Sequence, residues 1–386
     1  MKRIVILGAT GSVGSNTLAV IREHPDDFQV VGLIAGRGGE RLAKLAGEFP
    51  DAAVALGRHA DSAAFARLLR KSDRKGVFFA GPEGALEVIK TVDFDICVAA
   101  ISGTAGLDLT FAAANRKARI LLANKEILVS AGRLFMDAAA AGGAEVLPVD
   151  SEHAALWQCL KERHRKDLER LIITASGGPF LNWSAKRLAR ATPEDALKHP
   201  VWRMGAKISV DSATLANKAL ELIEAHHLFG LSFDVMDTLV HPQSAIHAIA
   251  EFIDGSLVAH LGICDMRQPI AYMLFHPERR PTRLPRLDLA VLARLDFARP
   301  DRTRFPLLDL GIEAGRRGGK HPAFFNAANE TAVELFLARR LSFTGIAQAV
   351  GKALEKSEGG EFTSMAEVGE THARAKRLVM EFAANA

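Results

Sequence analysis

The sequence predicts an α/β chain. It should have a parallel sheet flanked by helices at the N-terminal end, a mixed α+β middle and a purely helical C-terminal end. Three observations carry that reading. Residues 1–150 alternate short apolar, β-rich runs with helical stretches, residues 151–280 mix both kinds of element, and beyond Phe305 only helical patterns remain. In order, the first strands are Ile4–Leu7, Val30–Ala35, Val77–Phe79, Ile96–Ala99, Ile120–Leu122 and Val146–Val149. Helical patterns at Asn16–Arg22, Gly39–Glu48, Ser62–Leu69 and Gly106–Asn115 fall between them, which is the signature of βαβ units. In the middle region Ile172–Thr174, Lys207–Val210, Ala245–Phe252 and Leu257–Gly262 read as strands, the last two joined at Asp254-Gly255, a hairpin signal. Arg279–Arg304, with Pro281, Pro285 and Pro300, reads as a linker. Leu307–Arg316, Ala323–Arg339, Phe343–Lys356 and Ser364–Ala384 then make a four-helix bundle.

Composition excludes several classes. The chain has 386 residues, too many for one ordinary core. Its net charge of +4 is spread without long basic blocks, which suits small anionic ligands and argues against a nucleic-acid partner. Three scattered cysteines, Cys97, Cys159 and Cys264, without a CxxC, fit free thiols in a reducing cytoplasm. The apolar run after Met1-Lys2-Arg3 breaks at Gly8, too soon for a signal peptide, and no apolar span is long enough for a membrane helix.

Gly8-Ala9-Thr10-Gly11-Ser12-Val13-Gly14 follows the first strand and opens a helix, the setting in which glycines admit a dinucleotide pyrophosphate to a helix N-terminus. The N-terminal region is therefore Rossmann-like. After the second strand comes Gly36-Arg37-Gly38-Gly39, with no carboxylate for a ribose 2′-hydroxyl and with an arginine suited to a 2′-phosphate. That combination favours NADPH. The alternative for Arg37 is a solvated surface cation.

Val146–Val149 ends at Asp150-Ser151-Glu152-His153. In extended backbone Asp150 and Glu152 share a face, and two carboxylates held together suit a hard divalent ion such as Mg²⁺ or Mn²⁺. The competing reading is a helix start, where Asp-Ser-Glu is also favoured. Asn124-Lys125-Glu126 closes another candidate strand, at the end of the sheet where ligands bind. In the run Lys207–Glu221 a strand leads through Asp211 or Ser212, as N-cap, into a helix that sets Asn217, Lys218 and Glu221 on one face. By spacing alone Lys218–Glu221 is an ordinary helix ion pair. The functional reading puts Ser212, Asn217 and Lys218 on a phosphate, and Glu221 on a metal with Asp150 and Glu152. Ser176-Gly177-Gly178-Pro179 and the polar run that carries Trp183 and Trp202 suggest a mobile lid. His241 reads as a satisfied structural residue, and His164, His226 and His227 as solvated helix faces.

Taken together, Gly-Ala-Thr-Gly-Ser-Val-Gly, Leu-Leu-Ala-Asn-Lys-Glu, Leu-Pro-Val-Asp-Ser-Glu-His, Ala-Ser-Gly-Gly-Pro-Phe, Ile-Ser-Val-Asp-Ser-Ala-Thr with its following Asn-Lys and Glu, Val-His-Pro-Gln-Ser and Asn-Ala-Ala-Asn-Glu occur in one order. The chain thereby resembles the 1-deoxy-D-xylulose 5-phosphate reductoisomerases along nearly its whole length. The resemblance implies a homodimer acting on a small phosphorylated sugar, with no membrane partner. It implies an NADPH domain over 1–149, a catalytic and dimerisation domain over 150–280 with a lid at 177–206, a linker at 281–304 and a helical domain over 305–386. It further implies that Asp150, Glu152 and Glu221 ligate the metal and that Lys125 joins them in catalysis. Lys125, Ser151, Glu152, Ser176, His199, Ser212, Asn217, Lys218 and Glu221 would contact substrate. Thr10, Gly11, Ser12, Val13, Gly36, Arg37, Gly38, Asn124, Glu126 and Gly205 would hold NADPH. The implied reaction is a skeletal rearrangement by retro-aldol cleavage and recombination, followed by hydride transfer, in non-mevalonate isoprenoid biosynthesis. Gly38, Leu181 and Ala219 depart from the usual pattern, which has Asn, Arg and Gly there. The alternative enzyme is an NADP-dependent semialdehyde or homoserine-type dehydrogenase, which needs no carboxylate triad. A non-catalytic nucleotide sensor is the alternative from outside the enzymes.

Overall fold

The computed structural model describes residues 1–70, 75–160, 162–202 and 204–385, with the side chains of 162–164, His164 among them, also outside the description. Contacts group the chain into two compact units. The first comprises Met1–Ile127, Phe135–Asp150 and Asp265–Leu284, and the second Leu128–Leu134, Ser151–Cys264 and Pro285–Ala386. The C-terminal helices fall in the same unit as the central sheet.

The first unit is built on seven parallel strands in the order β4-β3-β2-β1-β5-β6-β7. They are β1 (Lys2–Leu7), β2 (Phe28–Ala35), β3 (Ala53–Leu56), β4 (Phe78–Ala80), β5 (Ile96–Ala99), β6 (Arg119–Leu122) and β7 (Glu145–Pro148). Ile4, Val5, Ile6 and Leu7 are all 0% exposed, as a central strand covered on both faces requires. The strand order reverses at β1, so the crevice beyond the β1 and β5 carboxyl ends is the binding position of a doubly wound sheet. β3 was not anticipated. Its Ala-Val-Ala-Leu carries little β signal of its own and is fixed by pairing with β2 and β4.

The second unit holds a four-stranded sheet in the order β11-β10-β8-β9, made of β8 (Leu168–Ala175), β9 (Met236–Val240), β10 (Ile246–Phe252) and β11 (Leu257–Leu261). The β10–β11 hairpin turns at Gly255, with φ 80°. Ile172, Ile246 and Ile249 form an apolar cluster under it, with Leu239 and Ala259 against them.

Two local expectations fail. Lys207–Val210 is not a strand but lies in the helix Ala206–Thr214, which a left-handed Leu215 (φ 62°) separates from the helix Ala216–Phe229. The Lys207–Asp211 ion pair, 2.9 Å at i,i+4, is a helical signature. Likewise β7 ends at Pro148, and Ser151 opens the helix Ser151–Cys159. Glu152 thus stands in a helical first turn and does not share a strand face with Asp150.

The four C-terminal helices are Leu307–Arg317, His321–Leu337, Phe343–Glu355 and Met365–Ala384. The first packs on Ala216–Phe229, and a Cβ placed on Gly311 would stand 2.4 Å from the Ala219 methyl. Gly311 therefore makes the room that Ala219 occupies. Among the described residues no helix is long and apolar enough to cross a membrane.

Candidate active site

In the first unit the glycine loop folds as its sequence requires. Gly8 has φ 86°, and a Cβ on Gly14 would stand 2.3 Å from the Gly8 carbonyl oxygen, so only glycine lets the loop close onto the helix Ser12–Glu23. That helix starts at Gly11 without a side-chain cap, leaving its first N–H groups to face a ligand. Thr10 and Val13 are half-buried and Gly11 and Ser12 exposed around this turn. Arg41 donates to Ser15 Oγ at 2.6 Å, bringing to the loop a cation that no sequence motif announced.

Gly36 and Arg37 are exposed past the end of β2. At Gly38 a Cβ would stand 2.9 Å from Leu56 Cδ1 and 3.0 Å from Phe65 Cβ, which explains glycine there. Asn124 is 0% exposed and donates to the Gly103 carbonyl at 3.3 Å, while its Oδ1 is buried without a hydrogen-bond partner. Lys125 caps the helix Glu126–Gly142, whose first residue Glu126 is buried, and forms an ion pair with Asp150.

The second unit gathers the other expected residues. Lys218 Nζ lies 2.5 Å from Glu152 Oε1 and 2.5 Å from Glu221 Oε2. Asn217 donates to the other Glu221 oxygen, and Ser151 Oγ to Glu152 Oε2 at 2.5 Å. Carboxylate oxygens of Glu152 and Glu221 lie within 4.8 Å of each other. Burial disfavours the charged form of Glu152, but Lys218, His247 and the Lys218 and Ser151 hydrogen bonds outweigh it and hold the carboxyl below its ordinary range. Burial alone would lower the Lys218 pKa, and the two carboxylates raise it instead. The pair Lys218–Glu221 is therefore no solvated helix ion pair, since Glu221 is 1% exposed.

A second cluster is centred on His199. Its Nδ1 accepts from the backbone N–H of Trp202 at 2.9 Å and of Val201 at 3.2 Å. A neutral imidazole that accepts at Nδ1 carries its proton on Nε2. Nε2 lies 2.9 Å from Ser176 Oγ and 3.1 Å from Ser212 Oγ. Burial, then the Lys218 charge, lowers the His199 pKa and keeps the ring neutral. Ser176 also accepts from Gly178 N at 3.2 Å, and Gly178 (φ 65°) passes so close that a Cβ would stand 2.8 Å from the Ser212 carbonyl oxygen. Two hydroxyls and one N–H thus converge in a glycine-lined turn, a set of donors fit for an oxyanion.

Supporting residues escaped the sequence reading. His153 Nε2 bonds the Glu221 carbonyl at 2.9 Å, and its Nδ1 lies 3.4 Å from Glu224, both side chains being buried. His247, on β10, interacts electrostatically with Glu152. No local pattern marks His247, since every residue from Ile246 to Ala250 is buried. His241 is satisfied structurally, with Nδ1 on the Asp296 carbonyl at 2.9 Å and Nε2 accepting from Ala245 N at 3.2 Å. The 177–206 segment is not simply a loop. It holds the short helices Ala185–Leu188 and Pro193–Ala196, and Phe180 is buried against Phe343. Leu181 packs over Gly177, and Trp202 sits 6.3 Å from His247. Gly205 caps the helix Ala206–Thr214 in open space.

Three family profiles match in sequence order. They are described as 1-deoxy-D-xylulose 5-phosphate reductoisomerase over residues 4–132, the C-terminal domain of the same enzyme over 146–229, and DXP reductoisomerase C-terminal domain over 261–378. The chain belongs to the 1-deoxy-D-xylulose 5-phosphate reductoisomerase family. Family members from Paraburkholderia phymatum and Chlorobium phaeobacteroides are 47% and 46% identical to it. The first alignment covers 97% of this chain and 94% of that protein, the second 98% of each. A solved reductoisomerase from Zymomonas mobilis in complex with NADPH superposes with a TM-score of 0.92 at 40% identity, covering 99% of each chain. A further structure, of the enzyme with NADPH, fosmidomycin and magnesium, superposes at 0.93 and 38% identity over 99% of this chain and 98% of that one. These matches favour the reductoisomerase reading over the homoserine-type dehydrogenase.

Proposed function

We propose that this chain converts 1-deoxy-D-xylulose 5-phosphate to 2-C-methyl-D-erythritol 4-phosphate. It consumes NADPH and requires Mg²⁺ or Mn²⁺, as a step of non-mevalonate isoprenoid biosynthesis. The observation that carries the proposal is the buried Glu152–Lys218–Glu221 cluster, in the same unit as the His199–Ser176–Ser212 donors. The first is a place for a cation and the second a place for a phosphate.

The residues present fit the groups the reaction needs. Glu152 and Glu221 offer only oxygen donors, and carboxylates this close require positive charge between them, which suits a hard divalent ion. Asp150, Glu152 and Glu221 are the proposed ligands, and the bound ion would supply Lewis acidity toward the substrate oxygens. For NADPH, the uncapped helix start at Gly11 and the unpartnered Asn124 Oδ1 are the supporting observations. Thr10, Gly11, Ser12, Val13, Gly36, Arg37, Gly38, Asn124, Glu126 and Gly205 are its proposed contacts, and the bound cofactor would supply the hydride.

The protein's own part is binding and charge placement. Ser176 and Ser212 donate hydroxyls and His199 its Nε2 proton to the phosphate, with Asn217 and Lys218 alongside. The phosphate is remote from the reacting carbons, so its binding energy is available for closing the 177–206 lid, which keeps water from the intermediate. Lys125 holds positive charge near the developing oxyanion, and Ser151 contacts the substrate beside Glu152. The working form is a homodimer in the cytoplasm.

The test is NADPH consumption with 1-deoxy-D-xylulose 5-phosphate, with and without added Mn²⁺, followed by identification of the product. The expected result is consumption only when substrate and metal are both present, with a branched product. NADPH oxidation that needs no metal, or that yields an unrearranged polyol, overturns the proposal.

A further inference from the structure

The run Asn326-Ala327-Ala328-Asn329-Glu330 has no part in the chemistry above, yet Asn326 and Asn329 are both 0% exposed on the helix His321–Leu337. Asn329 Nδ2 donates to Asp211 Oδ1 at 2.7 Å, and Asp211 is itself 1% exposed. The second Asp211 oxygen receives Lys207 at 2.9 Å. A buried carboxylate is costly unless its oxygens are occupied. Asn329 occupies one of them from an element far away in sequence. The amide orientation is dictated, because the opposite flip would set Oδ1 against a carboxylate oxygen.

Asp211 directly precedes Ser212 in the last turn of the helix Ala206–Thr214. It also sits at a joint. Thr214 Oγ1 donates to the Asp211 carbonyl at 3.2 Å and accepts from Ala216 N at 3.3 Å across the left-handed Leu215. On one side of the joint is Ser212, and on the other are Asn217 and Lys218. A small rotation of the Asp211 turn would displace Ser212 Oγ from its 3.1 Å contact with His199.

We propose that Asn329 is a positioning residue for phosphate recognition: by holding Asp211 it fixes the joint that presents Ser212 on one helix and Asn217 with Lys218 on the next. The inference rests on the reading of Ser212 and Lys218 as phosphate contacts. A merely structural Asn329 would lower the apparent kcat for every substrate through the amount of folded enzyme and leave each KM unchanged. A positioning Asn329 affects the phosphorylated substrate selectively.

The experiment uses the full-length enzyme carrying Asn329→Leu, Asn329→Ser, or the swap Asp211→Asn with Asn329→Asp, which reverses the amide–carboxylate pair. The readouts are KM for 1-deoxy-D-xylulose 5-phosphate, KM for NADPH, and kcat/KM for unphosphorylated 1-deoxy-D-xylulose. Loss of one buried, charge-assisted hydrogen bond predicts that Asn329→Leu raises KM for the phosphorylated substrate about tenfold or more. The other two readouts should stay within about twofold, and the swap should recover most of the loss. If Asn329→Leu does not fold, Asn329→Ser and the swap carry the same expectations. An unchanged KM, constants that move together, or a swap without recovery overturns the proposal. Ser212→Ala in the same assay separates the two levels. If it raises KM while the Asn329 variants are silent, only the positioning role fails, and if it is silent, the phosphate reading fails and takes the inference with it.

Discussion

Glu152 and Glu221 share one ammonium: Lys218 Nζ lies 2.5 Å from an oxygen of each, with all three side chains largely buried. This contact joins the helix Ser151–Cys159 to the helix Ala216–Phe229. It also balances a charge that would otherwise be uncompensated in the interior. A divalent ion at these carboxylates would take over part of that balance and leave Lys218 to an anionic substrate.

The first prediction concerns this cluster. Glu221→Gln keeps the size of the side chain and removes a proposed metal ligand. Metal-assisted charge stabilisation is worth several kcal/mol, so kcat should fall by about a thousandfold or more. Asp150→Asn should behave alike. NADPH affinity, followed by fluorescence titration, should stay within about twofold in both. Near-normal turnover in either variant would remove that residue from the metal.

The second concerns His199. Its Nε2–H is the fixed donor of the neutral ring, so under the proposed phosphate contact His199→Ala would remove one hydrogen bond to a charged group, worth about 1.5–3 kcal/mol. KM for the substrate should rise roughly 10- to 100-fold with KM for NADPH unchanged. His199→Gln, which can place an amide N–H near the same point, should recover part of the loss. Equal loss in both variants would argue against a donor role.

How far the sequence carried this picture depends on the range of the interaction. β1, β2 and β5 read directly as apolar runs because they are buried on both faces. β9, Met-Asp-Thr-Leu-Val, does not, since it lies at the sheet edge and its two polar residues, Asp237 and Thr238, are adjacent and fall on opposite faces, which breaks both an apolar run and an alternation. Lys207–Val210 reads as a strand because Ile208 and Val210 favour that state, and in the fold the i,i+4 pairing of Lys207 with Asp211 goes with a helix instead. The i,i+3 and i,i+4 relations of Lys218 and Asn217 to Glu221 are local and were legible. The approach of Glu152 to Lys218, the Ser212–His199 contact and the Asn329–Asp211 contact depend on tertiary packing, and no pattern within a single helix or strand encodes them.

The third prediction tests the coenzyme preference. Arg37 is exposed just beyond β2, where a ribose 2′-substituent would lie in a doubly wound fold. Arg37→Asp replaces a charge-assisted contact by repulsion. The ratio of kcat/KM for NADPH to that for NADH should fall by roughly 10- to 100-fold. An unchanged ratio would move recognition of the 2′-phosphate to another cation, and Arg41, held on Ser15, is the next to test.

The last prediction is about pH and stability. The sequence places His227 on a solvated helix face and carries no signal at His372, yet burial lowers the pKa of both to about 4. A Cβ on Gly132 would stand 2.3 Å from the His227 ring, and His372 Nε2 lies 3.1 Å from Ser130 Oγ. In the unfolded chain each histidine takes up a proton below its ordinary value of 6.5, whereas in the folded protein it does so only near 4. The unfolded state thus binds more protons between these limits, so stability falls as pH falls from 6.5 toward 4 and is unaffected by these groups above 6.5. A shift of this size corresponds to on the order of 3 kcal/mol per histidine over the whole window, and about 2 kcal/mol of it is lost by pH 5. Urea unfolding of the wild type at pH 7.5 and pH 5 should show that loss, and His372→Gln, which does not titrate, should shrink the difference between the two conditions by about 2 kcal/mol. The same difference in variant and wild type would mean that His372 is protonated in the folded protein as readily as in water.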